Sequence, residues 1–482
     1  MRMSLNPSKA DMEEWIPLTP IEKMAQTDYD VIIVGSGAGG GAALWRLCEK
    51  WRRTGKRIGL VEAGDLLVPT HAANMPVFNG NRFEQFRVAH SDHVGNLLPD
   101  FPNAIILRAL GGRTIVWAME SPRFPPFTFE TWPISYRELV PYYNIAERVM
   151  KVNTSYALGS AIQDILLDRS RSGGLPEAAT VPLALDPQVT QFGQVHSNPA
   201  FSSIDFMARA LNARPFDLAV RTRAVRVLAE KGKVSGIQVM NWNRESYVIS
   251  ARTVIVSAST LETPRLLLHS GIPGEAIGRY LVDHSFVAAE ATAGRREFPE
   301  VLGTSKIYVP DSEERRFHML LLGPSFRHKF EEPAVADSLP FLFYSYGPVE
   351  PRFENRVFLQ PSQLDAYGVP RIDIDFSFSN RDMALIEQMI VWTGKWIEIA
   401  KMSTRRPPEL WPPGSIRHEA GTCRMGDDPA ASACNRYGQI HGISELYVAD
   451  NSVVPLTAGA NPTLTTIALA IRTADYIVET SS

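Results

Sequence analysis

The 482-residue chain has 49 basic and 52 acidic side chains, a formal charge of -3, with 45% apolar and 21% charged residues. This is the composition of a soluble globular protein too long for one hydrophobic core, so two or three domains with room for a buried cofactor are expected. Balanced, dispersed charge excludes a field that collects nucleic acid or an anionic membrane, and no run reaches the roughly 18 uninterrupted apolar residues of a membrane span.

Residues 1–26, MRMSLNPSKADMEEWIPLTPIEKMAQ, lack the basic start, apolar middle and small-residue cleavage site of an export signal, so a cytoplasmic location is expected. DYDVIIVGSGAGGGAALWRLCEKW (28–51) predicts a strand, a tight glycine loop and a helix, and KRIGLVEAGD (56–65) predicts a second buried strand ending on Glu62. Together they make a βαβ unit. Proline and aromatic residues in SPRFPPFTFETWPISYRELVPYY open a stretch, 121–200, read as ordered loops and short helices covering a site. RAVRVLAEKGKVSGIQVM (223–240) predicts a hairpin and TVIVSAS (253–259) another buried strand. In STLETPRLLLHSGIP, Thr263 is expected to cap a helix with Pro264 at its first position and Gly271 past its end.

The runs SFVAAEATA (285–293), FHMLLLGPSF (317–326), LPFLFYSYGP (339–348), NRVFLQP (355–361) and RIDIDFSFS (371–379) follow without helices between them. They predict a second domain with a largely antiparallel sheet. ELYVADNSVVP adds a strand near the C-terminus, before a strong helix from Pro462 to Val478, so the first domain is expected to be assembled from separated pieces. Cys48, Cys423 and Cys434 have no CxxC spacing and read as small buried hydrophobes in a reduced compartment.

Chemistry concentrates in a few places. Gly35, Gly37 and Gly40 form GxGxxG after a strand, where glycine lets a pyrophosphate approach a helix N-terminus, and Glu62 stands where an acid takes ribose hydroxyls. That unit does not separate NAD from FAD. RALGGRTIVWAME (108–120) reads either as a backbone able to lie flat against an isoalloxazine ring or as a turn into a strand. Asn461, before Pro462, reads either as a helix cap or as a group beside a helix end that stabilises the negative charge of a reduced flavin. His418, in RHEAGTCRMG, is on its own a core residue, a metal ligand or a base. His71, His90 and His93 lack the carboxylate spacing of a metal site, His284 reads as support for a strand and His441 as structural; no metal is expected.

Taken in order, VIIVGSGAGGG with Glu62, RALGGRTIVWA, WPISYRELVPYYNIAERV, STLETPRLLLHSGI, GRYLVDH, HEAGTCRMG and ELYVADNSVVPLTAGANPTLTTIALA resemble the glucose-methanol-choline (GMC) family of FAD-dependent oxidoreductases. The resemblance spans residues 29–478 and is nearest to the pyranose oxidase branch and its compact bacterial sugar and glycoside oxidoreductases. It implies an α/β (α+β overall) fold, with a discontinuous Rossmann-like FAD-binding domain (27–120, 201–284 and 415–482), cover loops (121–200) and a substrate domain with a largely antiparallel sheet (285–414).

It also implies roles. His418 and Asn461 fall on the family's catalytic pair. FAD contacts fall on Gly35, Gly37, Gly40, Glu62, Arg108, Gly111, Gly112, Trp117, Val225, Asp450, Asn461, Pro462 and Thr463. Val116 replaces the histidine through which many pyranose oxidases attach FAD, so the cofactor is expected to be noncovalent. Ser259 stands where the family usually has glycine. The implied reaction oxidises an alcohol, foremost a secondary ring hydroxyl of a sugar, glycoside or amino sugar, by hydride transfer to flavin N5 with His418 taking the proton. The alternatives are a choline-like or sterol-like alcohol, or a non-redox flavin-containing lyase. Oxygen, a quinone or a carrier protein would accept the electrons; neither nucleic acid nor membrane is an expected partner.

Overall fold

The structure, a computed structural model, describes residues 14–75, 77, 78, 80–94, 101–186, 188, 189, 195–197, 199–298, 303–323 and 337–481. The β-branched run Tyr29–Val34, buried almost throughout, is a central strand of a seven-stranded sheet. Five strands of that sheet run parallel in the spatial order 217–219, 58–61, 29–34, 246–256 and 446–448. Burial on both faces explains why they read as continuous apolar runs. The predicted hairpin is present as Thr222–Glu230 and Lys233–Asn241, and it adds antiparallel to the first half of Ser246–Val256. Helix Ala38–Lys50 crosses from the first strand to the second and packs against helices Ser203–Ala213 and Thr463–Thr480. Pieces of chain more than 400 residues apart thus share one core.

A second sheet of six strands is antiparallel throughout, in the order 403–410, 285–294, 338–347, 318–322, 306–309 and 179–180. Alternate residues of a strand face opposite sides. Val287, Ala289, Met319, Leu321, Phe341 and Phe343 pack on one side with helix Asn380–Ile399, whose start carries a Ser379/Asp382 capping box. Phe286, Ala288, Leu320, Tyr344 and Tyr346 face the core shared with the parallel sheet. By the same alternation Lys306, Tyr308 and His318 project toward that core.

Three expectations need correction. The runs NRVFLQP and RIDIDFSFS do not join this sheet: Arg356–Leu364 and Pro370–Asp375 make a separate hairpin. Polar cross-strand bonds, Arg356 to Asp375 and Gln360 to Asp373, both 2.6 Å, suit it to a solvated face, and Asp365 in its turn ties it to Arg223 and Arg265. The last three residues of FHMLLLGPSF, 324–326, lie outside the described residues. Thr263 is not a cap, because the helix begins at Ser259 and runs to His269 with Pro264 inside it. The carbonyl that Pro264 leaves without an amide, that of Thr260, accepts instead from the Thr422 hydroxyl at 2.6 Å. The cover contains a longer helix than foreseen, Tyr136–Met150, started by a Ser135/Glu138 capping box. Gly271 does follow the helix end, at φ +72°. All three cysteines are buried and unpaired. Among the described residues no helix is long and apolar enough to cross a membrane.

Candidate functional site

The first strand ends in a glycine loop whose geometry is dictated from two sides. A Cβ on Gly39 would lie 1.6 Å from the Ala449 carbonyl oxygen, and one on Gly40 would lie 2.0 Å from that of Gly35, so strand, loop and helix close on one another only without side chains. Gly37 is different: a Cβ there would meet nothing within 4 Å. Open space therefore lies directly at the N-terminus of helix Ala38–Lys50, whose first turn has no acidic residue. Unpaired amides at such an end suit a diphosphate.

Glu62 follows the second strand and is buried. Its Oε2 accepts from Ser36 N at 3.0 Å and Ser36 Oγ at 2.6 Å, and its Oε1 from Gly64 N at 2.7 Å. Burial raises its pKa, opposed by those bonds and by Arg108. Ser36 Oγ also accepts from Gly111 N at 2.9 Å, which locks the two glycine loops together, and a Cβ on Gly112 would lie 3.1 Å from Gly37 Cα. Arg108 pairs with Asp92. The Trp117 indole N–H donates to the Phe201 carbonyl at 2.8 Å. Val225 is buried at a β-bulge between Ala224 and Arg226.

Near the C-terminus, the Asp450 carboxylate is fully engaged by the protein: Oδ2 accepts from Ser259 N and Thr263 Oγ1, and Oδ1 from Ser452 N and Oγ. It pins the turn in which Ser259 adopts φ +87°, in the left-handed region that favours glycine. Pro462 precedes helix Thr463–Thr480 with helical dihedrals, and the first bond of that helix runs from Thr466 N to Pro462 O. The amides of Thr463, Leu464 and Thr465 are thus left without helical partners.

Asn461 does not cap this helix; its side chain turns the other way. Nδ2 donates to Glu120 Oε2 at 2.7 Å and lies 3.4 Å from His418 Nε2. Glu120 Oε1 is in turn 2.5 Å from Lys306 Nζ, an ion pair almost wholly buried. The carboxylate fixes the amide's sense, since a flipped amide would place oxygen against oxygen. Asn461 Oδ1 is then buried with no hydrogen-bond partner among the described residues.

The protonation of His418 follows from counting donors. His284 Nε2 is 2.7 Å from the carbonyl oxygen of Ala458, which only accepts, so the His284 proton is on Nε2 and its Nδ1 bears a lone pair. That Nδ1 is 2.9 Å from His418 Nδ1, so His418 must donate there. Its Nε2 is left as a lone pair facing Asn461. Burial, then the neighbouring His284 and Arg113, hold the His418 pKa well below the usual histidine value, and burial lowers His284 to about 4, so both rings are neutral at pH 7. Asp283 clamps the two backbones, its Oδ1 accepting from His284 N at 2.8 Å and His418 N at 2.9 Å. Arg113 pairs with Glu419 at 2.8 Å and donates to the Arg417 carbonyl, closing the loop around the base.

The structure therefore brings His418 and Asn461 together and places Gly35, Gly37, Gly40, Glu62, Gly111 and Gly112 in one double loop. Arg108, Trp117 and Val225 engage other protein groups. Sequence reasoning missed Glu120, Lys306, Asp283 and the link from His284 to His418. Glu120 closes the quoted block RALGGRTIVWAME, the one signal that pointed toward it; nothing local marks Lys306.

Comparison with known proteins identifies the family. GMC oxidoreductase family models match residues 24–286 and 351–470. A C-glycoside 3-oxidase of Arthrobacter globiformis is 30% identical over 401 residues, 78% of this chain and 75% of that protein. A 6'''-hydroxyparomomycin C oxidase of Streptomyces lividus is 26% identical over 93% of this chain and 91% of its own length. Pyridoxine 4-oxidase from Mesorbium loti superposes with a TM-score of 0.71 at 18% identity, covering 94% of this chain and all of that structure, a likeness of fold. The chain belongs to the GMC oxidoreductases, FAD-binding enzymes that act on CH–OH groups.

Proposed function

We propose that this protein holds FAD without a covalent bond and oxidises a secondary ring hydroxyl of a sugar, glycoside or amino sugar, working in the cytoplasm. The observation that carries the reading is the His418 Nε2 lone pair, set by His284, beside the buried amide of Asn461. FAD, when bound, supplies the acceptor for the hydride that leaves the alcohol carbon. His418 Nε2 takes the hydroxyl proton, a task for a neutral imidazole. Asn461 holds the reacting oxygen in line with that nitrogen, and Glu120 with Lys306 holds Asn461.

The residues present fit the cofactor. Open space beside Gly37, at a helix start without an acidic residue, would take the diphosphate; Glu62 would serve the ribose, Gly111 and Gly112 would lie along the ring, and the amides at Thr463 and Leu464 would stabilise a developing negative charge. Arg108, Trp117, Val225, Asp450 and Pro462 complete the proposed contacts. The division into 27–120, 121–200, 201–284, 285–414 and 415–482 belongs to the same reading. Two relatives act by name on a C-glycoside and on 6'''-hydroxyparomomycin C, which supports a sugar substrate.

Noncovalent attachment is supported by two residues. Val116 offers no nucleophile. His71, which touches Trp117, has both nitrogens engaged: Nε2 donates to the Trp117 carbonyl at 2.9 Å and Nδ1 accepts from Ala73 N at 3.0 Å. Acid precipitation of the purified yellow protein is expected to leave the flavin in the supernatant. Colour retained in the pellet would refute noncovalent binding, and a colourless protein that takes up no FAD would refute the whole proposal.

A further inference from the structure

His318 lies in the strand run FHMLLLGPSF and in none of the blocks that carry the resemblance. It is 1% exposed, and neither ring nitrogen has a hydrogen-bond partner among the described residues. Burial, with His284 and Arg315 nearby, lowers its pKa to about 3, so it is a neutral ring with one donor and one acceptor. A buried imidazole that none of the described residues bonds has a free donor and a free acceptor to offer a ligand.

Position says what that partner is near. His318 pairs in register with Tyr346, and both project from the sheet face turned toward the parallel domain. The Tyr346 ring centroid is 5.9 Å from that of His318, 5.9 Å from that of His284 and 5.8 Å from that of His418. His318 also lines a cleft of about 310 Å³, a size at the low end of the roughly 300–1,000 Å³ of small-molecule sites. Its lining includes Arg123, Glu147, Tyr308, Asp311, His318 and Ala460. Arg123 and Glu147, paired at 2.6 Å, are partly open to solvent, whereas His318, Asp311 and Ala460 are buried. Ala460 adjoins Asn461, and Asp311 Oδ2 accepts from Gly459 N at 2.9 Å, so the inner wall is tied to the segment that carries Asn461. The cleft thus runs from the half-exposed Arg123 and Glu147 to His318 and to Ala460, the residue before Asn461, and with one tyrosine among prolines and polar side chains it lacks the aromatic cage that a quaternary ammonium calls for.

We propose that His318 is the specificity-determining residue of this enzyme, its imidazole bonding a hydroxyl adjacent to the one oxidised, so that vicinal diols of a pyranose ring are selected over simple alcohols. The inference rests on the proposed sugar oxidation and deepens it. A site built to hydrogen-bond a hydroxyl rejects the analogue that lacks it far more strongly than an apolar pocket rejects an extra methylene, because its own polar group is left unpaired.

The test is anaerobic stopped-flow reduction of the holoenzyme by glucose, galactose and methyl β-glucoside, each with its monodeoxy analogues, separating the substrate dissociation constant from the limiting reduction rate. In the unaltered enzyme, removal of one particular hydroxyl should weaken binding by roughly 100-fold. His318→Phe should weaken binding of the parent sugar by a similar factor, abolish that deoxy penalty and change the limiting rate by less than about tenfold. His318→Gln, which keeps a donor and an acceptor, should restore part of the penalty. A uniform response of the unaltered enzyme to every deoxy analogue overturns the inference without any variant, as does a full penalty persisting in His318→Phe or a variant that loses only limiting rate. If none of these sugars reduces the flavin, the proposed function itself fails; if they do and the penalty ignores His318, only this inference fails.

Discussion

Flavin reduction by substrate falls by roughly 100-fold or more when His418 is replaced by alanine, with the flavin still bound. The expectation follows from the protonation chain. Ala458 accepts from His284 Nε2, His284 Nδ1 accepts from His418 Nδ1, and the lone pair of His418 Nε2 is left toward Asn461. His284→Phe removes the acceptor without touching the base, and frees His418 to place its proton on either nitrogen; a fall of about tenfold to 100-fold in the limiting rate is expected. The pH profile separates this account from a merely structural one. An exposed histidine is half protonated near pH 6.5. His418 is held well below that by burial and its neighbours, so it stays an unprotonated base as pH falls from 7 to about 6, and the limiting rate should hold over that range. Stopped-flow reduction between pH 5 and 8 measures it; a rate that halves near 6.5 would mean that the base is not the buried ring described here.

Two glycines two residues apart should fail in different ways. Gly37→Ala leaves a folded protein with a melting temperature little changed, because the added methyl enters open space at an ordinary φ. It should nevertheless weaken FAD binding by on the order of 100-fold, the loss of about two charge-assisted amide bonds at the diphosphate. Gly39→Ala drives a methyl to 1.6 Å from the Ala449 carbonyl oxygen, a backbone atom with no flexible end to swing away, and should push the chain after the 446–448 strand off helix Ala38–Lys50. Overpacking of that kind costs about 1–3 kcal/mol or more, read as a lowered melting temperature even before cofactor is considered. Thermal melts and flavin titration of the two apoproteins distinguish the cases. Equal loss of stability in both would mean that the space beside Gly37 is not a ligand cradle.

What could be read from the chain alone follows how local each feature is. The strand, glycine loop and helix at 29–50 and the hairpin at 222–241 are set by periodicity and turn chemistry within a few dozen residues, and they stand as expected. His418 and Asn461 were legible because each sits in a recognisable block. Glu120 and Lys306 are 186 residues apart and meet only because one follows the glycine block and the other starts a strand of the second sheet. His318 matters through burial and through its register with Tyr346, neither of which a sequence displays. The error at Thr263 has the same origin: Pro264 imitates a helix start, and what permits it inside the helix is a hydroxyl at Thr422. Likewise Asn461 before a proline looks like a cap until Glu120 claims its amide.

The claim on which the account depends is that an alcohol delivers hydride to bound FAD while His418 takes its proton. Anaerobic mixing of the purified holoenzyme with sugars, glycosides and simple alcohols, following flavin absorbance at about 450 nm, tests it directly. The account predicts bleaching by pyranoses or their glycosides, absent or slowed roughly 100-fold in His418→Ala. Flavin that stays oxidised with every sugar and alcohol, or that bleaches equally fast in His418→Ala, would contradict it.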